Sequence, residues 1–216
     1  RPPRSTLFPY TTLFRPERYE LCWDLAVSMT TLFEGGGYAE EWRRTHERAL
    51  ELVRETGNRR GEAVLLCSLG SLYISRRQPA TVHAVLGQAH RIFEELGDLH
   101  GQAMTRRNLG VIMTMEGEKD TAAEHLLAAL NGFREVGDVL NQAYMLSKQA
   151  RLSSDAGEFQ RATDQLTEAL EICRDVGCRR VEAQVLWGLG ENLMRQRRFD
   201  EADSVQIGRA SCGERV

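Results

Sequence analysis

The chain lacks a long apolar run, a basic excess and a paired-cysteine motif. No stretch approaches the roughly 20 apolar residues that a bilayer-spanning helix needs. The opening RPPRSTLFPYTTLF has no continuous apolar centre, so it does not read as a secretory leader. Lys and Arg number 28 against 31 Asp and Glu, for a formal charge of −3. Gripping phosphates needs clustered cations, so an acidic chain is a poor nucleic-acid binder. The five cysteines, at 22, 67, 173, 178 and 212, contain no CxxC pair. That scatter is expected of reduced, mostly buried cytosolic thiols rather than of a disulfide framework or a zinc site. With 42% hydrophobic and 27% charged residues, the composition is that of a soluble globular chain.

The signatures of catalysis are missing as well. There is no GxxxxGK[ST] loop, and EGEKDT (116–121) offers only a lone Gly-x-Lys. GLGENL (188–193) begins like a dinucleotide fingerprint but has no third glycine. In HERAL, Leu50 stands where HExxH needs its second histidine. His46 and His90 occupy columns held elsewhere by leucine, and His83, His100 and His125 have no ligand partner at metal spacing. The acidic residues fall on outer helix faces, and the RR pairs at 43, 59, 76, 106, 179 and 197 fall near helix ends. These absences point away from an enzyme: no catalytic residue, cofactor or metal ligand is expected, and no direct contact with nucleic acid.

What is present is a period. Gly57, Gly97, Gly137 and Gly177 stand forty apart, and so do Ala63, Ala103, Ala143 and Ala183. Gly70, Gly110, Ala150 and Gly190 form a third column, Trp42, Val82, Ala122, Ala162 and Ala202 a fourth, and Ala49, Ala89, Ala129 and Ala169 a fifth. Columns in one register mark a repeat architecture. Each unit divides into two helical stretches by apolar spacing; in the third, Ala122, Leu126, Ala129, Leu130 and Phe133 share one face. Gly37, Gly117 and Gly157 break the helices within units, the GD glycines end the units, and Asp98 and Asp138 are placed to cap the helices that follow. Small residues such as Gly110 and Ala122 are expected where paired helices cross most closely. One pair cannot bury its apolar face alone, so the expected fold is an all-α, right-handed superhelical solenoid of stacked antiparallel helix pairs.

The spacing A…NLG…G…A…L..A resembles the tetratricopeptide repeat, in a forty-residue variant covering 16–206 as units of about 16–57, 58–97, 98–137, 138–177 and 178–206. Units one, two and four depart from it, with Trp23 and Trp42 at small positions, Pro79 and Val82 in RRQPATVHAV, and Gln149-Ala150 for Leu-Gly. Residues 19–73 further resemble the entry into the repeat region of large bacterial signal-transduction regulators. That resemblance implies a cytoplasmic sensor within a transcriptional regulator. A phosphatase-like repeat enzyme and a purely structural adaptor are the alternatives.

In such repeats the first helix of each pair lines a concave groove. Counted from the Ala63 column, the groove positions are Val64, Cys67, Ser71 and Ile74, then Met104, Arg107, Val111 and Thr114. Tyr144, Ser147, Arg151 and Ser154 follow, then Gln184, Trp187, Glu191 and Met194. Arginine beside large apolar side chains suits a protein or peptide ligand with a carboxylate.

The two ends carry a separate signal. TLFPYTTLFR (6–15) back-translates to a DNA whose opposite strand, read one base out of frame, gives IGRASCRERV, against the observed IGRASCGERV (207–216). The DNA resembles a short-read sequencing adapter, so 1–15 and 207–216 are expected to be non-native, and 16–206 a fragment whose cut end frays or self-associates. Arg1, Arg4 and Arg15 at one end, and Arg209 and Arg215 against Glu214 at the other, carry +4; without them the charge is −7 rather than −3.

Overall fold

A computed structural model describes residues 19–205, with side chains from 21; the adapter-like ends lie outside these residues. Among the described residues ten helices run in order: α1 Tyr19–Ser28, α2 Thr30–Gly36, α3 Ala39–Glu55, α4 Arg59–Ser75, α5 Pro79–Glu95, α6 Leu99–Glu116, α7 Lys119–Glu135, α8 Val139–Asp155, α9 Phe159–Asp175 and α10 Arg179–Arg195. A further helical segment starts at 199. No strand occurs among these residues. The hydrogen-bond ladder continues from α1 to α2, with Met29 N donating to Leu25 O and Phe33 N to Met29 O, so the two serve as one first helix to α3.

The helices are cut to nearly equal length by one repeated joint. At each turn the backbone N–H of the residue just after the left-handed position bonds back to the carbonyl five residues earlier, as in Asn58 to Val53, Asp98 to Phe93 and Asp138 to Phe133. This geometry needs a left-handed residue in the turn, and glycines at 37, 57, 97, 117, 137, 157 and 177 supply it with φ between 64° and 87°. The interval is therefore twenty residues, half the sequence period. Arg77 (φ 55°) and Arg197 (φ 61°) complete the series without being glycine. The expected aspartate caps form: Asp98 Oδ1 accepts from Gly101 N at 2.9 Å and Asp138 Oδ1 from Asn141 N at 3.0 Å. Asn58 does the same for Gly61 N at 2.7 Å.

The chain forms two compact units that divide after Ile112, within α6. In the first, Trp42, Leu65, Leu72, Leu86 and Phe93 form the core, with α4 packed on α3 and α5. Gly70 marks a close crossing there: a Cβ on it would sit 2.4 Å from Leu86 Cδ2. His46 is fully buried as its leucine column requires. Its Nδ1 bonds to the Trp42 carbonyl at 3.0 Å and its Nε2 to Ser68 Oγ at 2.9 Å, while Ser68 Oγ also accepts from Trp42 Nε1 at 3.1 Å. A neutral ring satisfies all three bonds, and burial pushes the His46 pKa down to about 4.

In the second unit, α8 packs on α7, α9 and α10 around buried Leu126, Phe133, Leu146, Leu166, Leu170 and Val185. Ala150 and Ala162, from the small columns, are fully buried. No helix among the described residues is long and apolar enough to cross a membrane.

Candidate functional site

Each unit carries its share of the expected groove positions on the first helices of its pairs. In the first unit these are α4 and α6. Val64, Ile74 and Met104 are half-buried and rest against the core, and Val111 is half-buried too. Cys67 lies deeper, 6% exposed, and belongs to the core itself. Burial raises its thiol pKa to about 11, against the pull of Arg107. Ser71 Oγ accepts from Asn108 Nδ2 at 3.0 Å, and Asn108 Oδ1 accepts from Arg107 Nε at 3.2 Å. Asn108, 4% exposed, was not among the expected positions, yet it ties Ser71 to Arg107. Its signal in the sequence is an amide within the NLG step of the repeat.

The second unit presents a more open face. Thr114 is half-buried at its start. On α8, Tyr144 is half-buried with Lys148 Nζ 4.7 Å above its ring, a cation–π contact. Ser147 is half-buried and donates to the Tyr144 carbonyl at 2.7 Å. One turn on, Arg151 is exposed, while Ser154 is buried with no hydrogen bond to its Oγ. On α10, which packs beside α8, Gln184 is exposed, Trp187 is 46% exposed and Met194 53%. Half-buried Glu191 pairs with Arg195 at 3.1 Å, and Arg195 also pairs with Asp155. The acid on this face is thus neutralised locally. Lys148 and Arg151 remain as cations with no ion pair among the described residues.

This arrangement offers large apolar anchors beside unneutralised cations, which is chemistry for holding a ligand. Among the described residues no three His, Cys, Asp or Glu side chains gather as a metal site.

No protein-family model matches the chain, and no curated protein matches it in sequence. Solved structures do match. The chain is similar to BtubC (BKLC) from P. vanneervenii, with 16% identity and a TM-score of 0.76 over 94% of this chain and 84% of that one. It is similar to a Rap protein complexed with Competence and Sporulation Factor, with 14% identity and a TM-score of 0.78 over 96% and 60%. It is also similar to the signal transduction ATPase with numerous domains from Pyrococcus horikoshii that carries a tetratricopeptide repeat sensor, with 15% identity and a TM-score of 0.70 over 94% and 31%. This chain spans 60% of the Rap protein and 31% of the signal transduction ATPase. At such identities the likeness is one of fold, and that fold is the tetratricopeptide-like, all-α helical repeat.

Proposed function

We propose that the chain is a peptide-binding repeat scaffold, the sensor part of a larger cytoplasmic bacterial transcriptional regulator, and that it works by recognition rather than catalysis. One observation carries the binding reading. Exposed Trp187 and Met194 stand on α10 beside an α8 that presents Lys148 and Arg151 without acidic partners. Trp and Arg are the residues most often found as interface anchors, and an arginine fork matches a carboxylate. The fitting ligand is a short acidic peptide with one large apolar side chain. The half-buried Met104, Arg107 and Val111 on α6 are a second candidate contact. The regulatory reading is supported by the resemblance of 19–73 to regulator repeats and by the shared fold with a sensor-bearing signalling protein.

The test is a selection of ten-residue acidic peptides carrying a single Leu or Phe, followed by titration of the best binder against purified chain. Arg151→Glu and Trp187→Ala should each weaken binding by about tenfold or more, while the exposed control Arg161→Glu leaves it unchanged. Equal affinity across all three variants overturns the assignment of this face. Sedimentation of the same samples reads self-association, for which Phe199, 57% exposed, is an apolar contact.

A further inference from the structure

The joint between α9 and α10 differs from the others in the two residues it brings together. At each joint the residue third from the helix end faces the residue just past the left-handed turn, and their side chains commonly touch. These pairs are Val53 with Asn58, Phe93 with Asp98, Phe133 with Asp138 and Leu193 with Arg198. At the α9–α10 joint both are cysteine: Cys178 N donates to Cys173 O at 2.9 Å, and Gly177 N to Arg174 O at 3.2 Å. No other joint among the described residues carries a thiol at either place.

The hydrogen bond sets a distance limit. With standard bond lengths on either side of it, the two Cα atoms lie within about 6.8 Å. Disulfides form with Cα atoms about 4.4 to 6.8 Å apart. Both thiols are free in the structure. Cys173 is wholly buried and Cys178 half-buried, so one is reachable and the other waits behind it. Cys178 also stands at the capping position of α10, where Asn58, Asp98 and Asp138 bond forward to the next helix. Cysteine makes no such bond there, and its side chain is not committed to α10. Burial, the neighbouring Cys178 and Glu182 together hold the Cys173 thiol up at about 11, which keeps it a protonated second partner rather than a first nucleophile.

We propose that Cys173 and Cys178 form a redox-active dithiol site that exchanges with low-molecular-weight disulfides and closes to an intrachain disulfide joining the end of α9 to the start of α10. The Cys178 thiolate attacks one sulfur of the small disulfide, breaking its S–S bond and releasing one small thiol. Cys173 sulfur then attacks Cys178 Sγ, its proton passing to the departing second thiolate. Two electrons and two protons leave the protein, and one disulfide becomes two thiols. The closed bond supplies the tether that the missing cap leaves out, at the root of the helix bearing Trp187 and Met194.

Trypsin offers a direct readout, because Arg174 separates the two cysteines. The folded chain, carrying Cys212→Ser so that the tail thiol does not compete, is equilibrated with mixtures of reduced and oxidised glutathione, trapped in acid and digested. The expected product is peptide 162–174 linked to peptide 175–179, exceeding the singly glutathionylated 175–179 by about tenfold, since a thiol held in the same turn has a high effective concentration. Reduction restores both peptides. Cys173→Ala should stop the reaction at glutathionylated Cys178, and Cys178→Ser should leave Cys173 unmodified. Stable glutathionylation of Cys178 in the unaltered pair, or no reaction at either thiol, overturns the proposal.

Discussion

His46→Leu tests the reading of the first unit's core through its response to acid. His46 is fully buried, and its three-bond arrangement with Trp42 and Ser68 suits a neutral ring. Its pKa falls from the ordinary 6.5 to about 4, chiefly through burial. In the unfolded chain the ring takes up its proton near 6.5; in the folded chain it stays neutral until about 4. Between those values the unfolded state binds more protons, so stability falls as pH falls. It is fully present above 6.5 and lost by 4. Each tenfold in proton affinity is worth about 1.4 kcal/mol, so the whole window amounts to about 3 kcal/mol. Leucine fills this column in the other units, at Leu86, Leu126 and Leu166, so the variant is expected to fold. Urea unfolding followed by tryptophan fluorescence from pH 7.5 to 4 should show the parent losing about 3 kcal/mol more than His46→Leu. Parallel pH profiles would refute the claim that a neutral buried histidine sits at this crossing.

Other substitutions probe the joints and crossings. Gly70→Ala places a Cβ 2.4 Å from Leu86 Cδ2, and the resulting overpacking, partly offset by better helix propensity, should lower stability by about 1 to 2 kcal/mol in denaturant titrations. Arg77→Gly removes a left-handed arginine and should raise stability by about 0.5 to 1 kcal/mol once glycine's own entropy is counted, seen as a higher Tm. Asp138→Ala deletes the bond to Asn141 N and should cost about 1 kcal/mol, with faster amide exchange in the first turn of α8. Asp138→Asn should largely restore it.

The fold was readable because its joints and crossings use residues that few other places want. Glycine at 57, 97, 137 and 177, and again at 37, 117 and 157, marks seven of the left-handed turns, and Asp98 and Asp138 announce the helices after them. Arg77 and Arg197 escaped notice because arginine carries no preference for a left-handed backbone; the neighbouring hydrogen bonds impose it. The face of the first helices was only partly readable. A fixed count along a helix gives direction but not depth, so Cys67 and Ser154, both short, lie covered by neighbours, while long Trp187 and Met194 reach out. Asn108 went unremarked since its partners, Ser71 and Arg107, meet only once α4 and α6 are in place.

The even interval of the left-handed joints has a consequence for how such a chain changes length. Because the hinges repeat one backbone geometry at one spacing, excising or duplicating forty residues cut at equivalent hinges rejoins helices of matching size in matching phase. Growth and shrinkage can then proceed by whole pairs without inventing a new connection, and the number of pairs becomes a quantity free to drift while the architecture of each stays put.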